Sequence, residues 1–266
     1  GVPSECRYLA EHCLLPYLAR LHGQVIRSHD LRIFGLTEPQ VQELLSDLLR
    51  REDDLTLAPY AGTGEVSLHL SARAADEAAC EARMAPLLAE VRQRLGGYLY
   101  GEDISGLEEA VFRLCRDRHL TLSAAESCTG GLIAKRLTDV PGASQIFLGG
   151  VVSYTNEVKN HVLGVPASLL EAYGAVSAPV ARAMAVGVRV LTGSDLSLSV
   201  TGLAGPGGDD RGTPVGTVFT ALSAPEGVFV RRLTLGGSRE RIRVLSAHHA
   251  FDLLRRYLTD QMTEGE

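Results

Sequence analysis

The stretch LTLSAAESCTGGLIAKRL, residues 120–137, predicts a β-strand that leads directly into an α-helix. Its first seven residues favour a strand, and two glycines mark the turn before the helix. Free amide groups at the start of a helix attract anions and can stabilise a developing oxyanion. The hydroxyl of Ser127 at this turn is therefore a candidate nucleophile. The sequence supports equally well the alternative that Ser127 and Thr129 only cap the helix, which we expect over residues 129–138.

Strands and helices alternate through the rest of the carboxy-terminal part of the chain. We predict two strands, over residues 147–154 and 195–205. We also predict four helical segments, over residues 107–119, 156–173, 178–193 and 238–258. The runs PVGTVFTALSA and GVFVRRLTLGG, within residues 214–237, predict an antiparallel hairpin. This alternation favours an α/β fold with helices flanking a sheet, and the hairpin makes that sheet mixed.

The preceding part of the chain predicts a separate, smaller α+β module that follows an opening helix. An extended run is predicted over residues 22–35 and a helix over residues 37–52. Two strands about a glycine-rich turn follow over residues 54–73, and a second helix over residues 76–97. The segment YLYGEDISG, residues 98–106, is rich in turn formers and is the predicted boundary. We therefore divide the chain into a linking helix (1–20), a connector domain (21–103) and a carboxy-terminal domain (104–266).

Composition and charge exclude several classes of function. The chain has 266 residues and is 45% hydrophobic, which is enough for two domains with a substantial core. A net charge of -6 gives no basic surface for nucleic acid. The 5 cysteines form no CxxC pair and fit a reducing compartment, and no apolar run approaches the roughly 20 residues that span a bilayer. We expect a cytoplasmic protein that binds neither nucleic acid nor a membrane.

The stretch VVSYTNEVKNHVLGV, residues 151–165, carries a lysine that could act as a base. Its strand ends at Tyr154, and the following turn presents Asn156 and Lys159. A lysine can activate a serine when burial or neighbouring cations lower its pKa. For any single lysine, however, an exposed surface position is the more common alternative.

Two further stretches suit an anionic ligand. The loop SVTGLAGPGGDDRGTPVGTVF, residues 199–219, is rich in glycine, so its backbone can approach a ligand closely and turn amides inward. It has neither a Walker lysine nor the GxGxxG pattern, and an ordinary mobile loop is the alternative. The helix that begins at Ser238 has Arg239, Arg241 and Arg243 in its first turns, where cations are disfavoured unless an anion is bound. A solvated face compensated by a neighbouring glutamate is the alternative there.

The histidines and Cys128 do not predict a metal site or a thiol nucleophile. His161, His248 and His249 lack metal-ligand spacing, and adjacent residues of a helix point to different faces. Cys128 has no histidine near it in sequence and is interpreted as a small buried residue. We therefore expect no metal and no cofactor.

Taken together, residues 124–165, YGAVSAPVARAMA, VTGLAGPGG, PVGTV and SRERIR resemble the carboxy-terminal domain of the CinA family, the competence/damage-inducible proteins. The resemblance runs from Leu107 to Leu258 without a break. It implies a nicotinamide-nucleotide amidase, which converts nicotinamide mononucleotide to nicotinic acid mononucleotide and ammonia. Residues 21–100 are similar to the family's KH-like connector, without the GxxG loop that binds RNA backbone. From this resemblance, we expect the family's molybdopterin-binding-like first domain to be missing from this chain.

The resemblance also implies a role for each site residue. Ser127 would be the nucleophile, Lys159 the base and Tyr154 a polar partner, while Arg239 and Arg243 would contact the phosphate. The other implied substrate contacts are Glu126, Thr129, Gly130, Asn156, Thr201, Gly202 and Gly205. The implied partners are nicotinamide mononucleotide and further copies of the chain in a homodimer or higher homo-oligomer. The alternative function is a catalytically silent nucleotide-binding or regulatory module linked to competence or DNA damage.

Overall fold

The chain forms two compact units, each with its own five-stranded sheet. The computed structural model describes residues 2–21, 23–51 and 54–262. The units are Gly1–Asp103 and Ile104–Glu266. This two-part α/β architecture agrees with the predicted fold class, whereas the separate linking helix over residues 1–20 stays a prediction.

The first unit is a small α+β module with an antiparallel sheet. Its elements are α1 Pro3–Leu9, a π-helical turn Ala10–Leu14, α2 Leu15–Leu21, β1 Val25–Phe34, α3 Glu38–Leu44, β2 Arg50–Arg51, β3 Leu55–Ala61, β4 Glu65–Ala74, α4 Glu77–Leu95, a 3-10 turn Gly96–Tyr98 and β5 Leu99–Glu102. The strand order is β2-β3-β4-β1-β5, with antiparallel pairing throughout. Alternate residues of β4, among them Leu68 and Leu70, are buried in one core with Met84 and Val91 of α4.

Two predictions in this unit are corrected by the structure. The helix predicted over residues 37–52 ends at Leu44, and residue 52 lies outside the described residues. Arg94 of α4 donates to the Leu44 carbonyl (3.2 Å) and to Asp47, so contacts with α4 hold this segment in place of further helical turns. The segment predicted only as a boundary contains β5, because its backbone pairs with β1 at the sheet edge.

The second unit has a mixed sheet at its centre. Its elements are α5 Leu107–Asp117, β6 Leu122–Glu126, α6 Leu132–Asp139, a 3-10 turn Ala143–Gln145, β7 Phe147–Val152, α7 Asn156–His161, α8 Ala167–Tyr173, α9 Ala178–Thr192, β8 Leu196–Gly202, β9 Thr217–Ala224, β10 Gly227–Thr234 and α10 Arg239–Leu258. The strand order is β10-β9-β8-β6-β7. β6 runs parallel to β7 and β8, whereas β8, β9 and β10 pair antiparallel, as the predicted hairpin requires.

Helices pack on this sheet, and the carboxyl end of β6 lies between those of its neighbours β7 and β8. Ser197 and Ser199 of β8 point towards α9 and donate to its carbonyls at 2.6 Å each. Alternate residues of a strand point to opposite faces, so Leu198 and Val200 face the other layer, where α10 contacts β8. Since β6 lies between two parallel neighbours, groups that follow β6, β7 and β8 meet at one edge of the sheet.

Candidate active site

Ser127 lies at the turn between β6 and α6, as the sequence predicted. Its amide donates to the Val200 carbonyl (2.9 Å), which ties the turn to β8. Gly130 and Gly131 adopt left-handed φ values of 61° and 94°, which residues other than glycine rarely adopt. The α-helix therefore begins at Leu132, three residues later than predicted.

Lys159 of α7 contacts Ser127 inside the protein. Its Nζ lies 3.1 Å from Ser127 Oγ and donates to the Ser153 carbonyl at 2.6 Å. The residue is only 1% exposed, so the surface-lysine alternative is excluded. Burial, which disfavours the charged form, lowers the pKa of Lys159 to about 8. The amine is therefore within reach of the hydroxyl and is partly neutral near neutral pH.

Tyr154 and Arg239 lie at the exposed side of the same site. Arg239 donates from Nη2 to the Tyr154 hydroxyl (2.9 Å) and from Nη1 to the Gly205 carbonyl (2.6 Å). These contacts join the end of β7, the glycine-rich loop and the first residue of α10. Tyr154 is 58% exposed, so its hydroxyl and the neighbouring guanidinium are open to a ligand.

These elements surround a cavity of about 210 Å³. Its lining residues are Ser127, Cys128, Tyr154, Lys159, Ala175, Val176, Thr201, Gly202, Leu203, Ala204, Gly205, Gly207 and Arg239. Seven predicted site residues therefore meet here. Thr201 is fixed by donation to the Ala175 carbonyl (2.8 Å), and Gly202 is required by packing because a Cβ would lie 2.6 Å from the Val218 side chain.

Five other predicted site residues do not line the cavity. The Glu126 carboxylate accepts from the backbone amides of Gly131, Ile133 and Ala134 at 2.9–3.1 Å, so it stabilises the start of α6 instead of facing a ligand. Asn156 lines a separate surface cavity. The remaining three are Thr129, Gly130 and Arg243.

Arg243 is directed at the nucleophile turn. Its guanidinium donates to the carbonyls of Cys128 (3.1 Å) and Thr129 (2.7 Å). The role of phosphate contact implied for Arg243 therefore has no support in this geometry.

Sequence reasoning missed Ser153, Ala175, Val176, Leu203 and Ala204 as parts of the site. Ser153 and Ala175 act through their carbonyl groups, which accept from Lys159 and Thr201. A main-chain carbonyl leaves no signal in residue type, so one sequence could not identify these positions.

Cys128 and the histidines of α10 do not compete for the catalytic roles. Burial raises the pKa of the Cys128 thiol to about 11, so the thiolate is scarce. Burial lowers the pKa of His248 to about 3 and of His249 to about 4, which keeps both neutral. Within residues 2–21, 23–51 and 54–262, no group of three or more His, Cys, Asp or Glu could hold a metal ion.

Two family models match the chain, one for each unit. Residues 104–258 match the CinA C-terminal domain, and residues 28–101 match the damage-inducible protein CinA KH domain. The chain belongs to the CinA family. The predicted resemblance, including its KH-like part, is thereby confirmed.

Relatives in the CinA family extend this similarity over nearly the whole chain. A competence-damage inducible protein of Caldanaerobacter subterraneus is 47% identical over 97% of this chain and 62% of its own length. That of Symbiobacterium thermophilum is 48% identical over 97% and 63%. The chain thus spans less than two thirds of these CinA relatives.

A solved CinA structure supports the fold of the second unit. The crystal structure of a competence-damaged protein (CinA) superfamily member from Klebsiella pneumoniae is 32% identical and aligns with a TM-score of 0.57. It covers 58% of this chain and 96% of that one. In the described part of this chain, no helix is both long and apolar enough to cross a membrane.

Proposed function

We propose that the second unit is a nicotinamide-nucleotide amidase that hydrolyses nicotinamide mononucleotide to nicotinic acid mononucleotide and ammonia. The observation that carries the proposal is the buried pair of Ser127 Oγ and Lys159 Nζ, 3.1 Å apart. A hydroxyl beside a partly neutral amine is the arrangement that serine/lysine nucleophilic catalysis needs. Membership of the CinA family, which includes amidases, supports the same reaction class.

The chemistry follows from the protonation state of Lys159. The neutral amine accepts the Ser127 proton while Oγ attacks the carboxamide carbon, and the carbonyl oxygen becomes an oxyanion. When the C–N bond breaks, the Lys159 ammonium returns the proton to the leaving group as ammonia. Water then cleaves the Ser127 ester, which releases the carboxylic acid and restores the hydroxyl. The positive charge of the pyridinium ring assists attack because it makes the carbonyl carbon more electrophilic.

The shape and charge of the cavity suit a phosphorylated substrate with a small reacting ring. Drug-sized ligands occupy pockets of about 300–1,000 Å³, so a cavity of about 210 Å³ fits the nicotinamide part of the molecule. The phosphate would then lie outside this cavity. Arg239 is the first residue of α10. Its guanidinium and the amino terminus of that helix both favour binding of an anion.

Ammonia release from nicotinamide mononucleotide tests the proposal, measured with wild-type protein and Ser127→Ala in the presence of a chelator. We expect steady turnover by the wild type and background release by Ser127→Ala, with equal melting temperatures. Capture of a serine ester by intact mass in a rapid quench would identify the covalent step. A well-folded wild type that releases no ammonia would refute the proposal and favour a silent nucleotide-binding module.

We also propose that the protein is cytoplasmic and forms a homo-oligomer, and that its domains meet at residues 20 and 103. Sedimentation of the purified chain would measure its assembly state directly.

A further inference from the structure

The turn that carries the nucleophile is held through its carbonyl groups. The Ser127 carbonyl accepts from the Gly130 amide at 3.1 Å. The next two carbonyls, of Cys128 and Thr129, accept from Nε and Nη2 of Arg243. Because a peptide unit is planar and trans, a fixed carbonyl also fixes the amide of the following residue in the opposite direction. The amides of Cys128 and Thr129 are thus aimed by bonds made on the other side of the turn.

These two amides lack an acceptor in any other residue that the structure describes. Within the described part of the chain, neither the Cys128 nor the Thr129 N–H donates to a carbonyl or to the side chain of another residue. Both residues are buried, at 6% and 0% exposure. The Thr129 hydroxyl is also buried without a hydrogen-bond partner among the described residues. Buried polar groups are normally paired, and Cys128 lines the cavity beside the nucleophile, so its unpaired donor indicates a position for a polar ligand atom.

We propose that Arg243 is a positioning residue that aims the Cys128 amide as a donor to the oxyanion. It acts in steps: Arg243 fixes the Thr129 carbonyl and with it the Gly130 amide. That amide holds the Ser127 carbonyl and so fixes the amide of Cys128. The proposal rests on the proposed role of Ser127 as nucleophile. In serine hydrolases built on a strand-turn-helix, the amide after the nucleophile serves in this way. Arg243 itself stays bound to the two carbonyls and does not contact the substrate.

Gly130 supports this role of Arg243. A Cβ at Gly130 would lie 3.2 Å from Arg243 Nη2, so the guanidinium occupies the space that a side chain would need. Gly130 also has a left-handed φ of 61°. A lysine at position 243 would keep the charge, but it lacks the rigid fork that lets one guanidinium hold two carbonyls.

The competing role is a phosphate contact, and a substrate without phosphate separates the two. We compare nicotinamide mononucleotide with nicotinamide riboside, using wild type, Arg243→Lys and Arg239→Ala. Loss of an oxyanion donor costs about 10²- to 10³-fold in kcat, so Arg243→Lys should lose kcat by a similar factor on both substrates with little change in KM. Arg239→Ala should lose more on the phosphorylated substrate. A loss in Arg243→Lys that is confined to the mononucleotide and to KM would overturn the proposal.

A second measurement does not depend on the identity of the substrate. A fluorophosphonate forms an Oγ–P bond with Ser127 and expels fluoride, and its phosphoryl oxygen gains negative charge as the hydroxyl attacks. Intact mass gives the labelling rate of wild type, Arg243→Lys and the matched control Arg241→Lys, whose arginine is exposed on the same helix. Slow labelling of Arg243→Lys alone supports the positioning role even if nicotinamide mononucleotide is not turned over. Equal labelling of all three proteins would overturn it.

Gly130→Ala provides an independent variant in case Arg243→Lys unfolds. The new methyl group would lie 3.2 Å from Nη2 and requires the guanidinium to shift by a few tenths of an ångström, so we expect a loss of labelling rate in the same direction as that of Arg243→Lys but smaller. In the double variant the two losses should not add, because both act on the same contact. Full additivity in folded protein, measured beside thermal unfolding, would argue against a shared action.

Discussion

The nucleophile side of the cavity, formed by Ser127 and Lys159, is buried, whereas the anion side, formed by Tyr154 and Arg239, is exposed. Ser127 is 8% exposed and Lys159 1%, compared with 58% for Tyr154. Fixed groups in a site without water act strongly on charge that develops during reaction, whereas exposed cations are screened. Rate and binding should therefore separate: changes on the nucleophile side lower kcat, and changes on the anion side raise KM.

The strongest test of the nucleophile side is Lys159→Met. Methionine fills a similar volume but cannot accept a proton, so we expect kcat to fall by about 10²- to 10⁴-fold with KM little changed. Lys135→Met is the matched control, since Lys135 is exposed and pairs with Asp139 at 2.6 Å. Steady-state ammonia release would measure both. An active Lys159→Met would remove the lysine from the mechanism and with it the distinction between the two sides.

The pH profile sharpens the same comparison. Burial lowers the pKa of Lys159 to about 8, and only the neutral amine is a base. The active fraction therefore grows as pH rises: kcat/KM should increase about tenfold per unit well below pH 8 and level off above it. Arg239→Ala should keep this midpoint, because Arg239 is not the base. A profile that is flat between pH 6 and 9 would contradict the role of Lys159.

Sequence reasoning predicted most elements of the second unit and the turn that carries Ser127, since strand-helix alternation and glycine turns are local signals. The contact between Ser127 and Lys159 was implied only by the family resemblance. The two residues are separated by 31 others in the sequence, so no local pattern predicts that they meet. The sequence also failed to separate residues that face the cavity from residues that support it. Glu126 and Arg243 carry charges suited to a ligand, yet each bonds backbone groups within the fold.

The anion side is tested by Arg239→Ala. Charge-assisted hydrogen bonds to an exposed ligand contribute about 1.5–3 kcal/mol, so we expect KM for nicotinamide mononucleotide to rise about 10- to 100-fold. The substitution leaves the Ser127 and Lys159 contacts intact, so kcat should change by less than about threefold. Titration with inorganic phosphate as an inhibitor offers a second readout, which should weaken in parallel. A fall in kcat at constant KM would place Arg239 on the nucleophile side.

The smallest expected effect concerns the glycine-rich loop that completes the anion side. Arg211 donates to the Ala172 carbonyl (3.1 Å) and to the Glu171 carbonyl at the end of α8, while Arg239 holds the loop at Gly205. The loop is therefore fastened at two points, one of which lies outside the cavity.

Release of the outer point by Arg211→Ala should loosen the loop without removing any cavity group. Exposed contacts of this kind contribute about 1 kcal/mol, so we expect KM to rise only about two- to fivefold with kcat unchanged. Faster amide hydrogen exchange across residues 205–213 would show that the loop has loosened. Arg116→Ala, an exposed arginine paired with Asp117 at 2.8 Å, is the matched control. If Arg211→Ala lowered kcat instead, the loop would also position the nucleophile side, and rate and binding would not separate between the two sides.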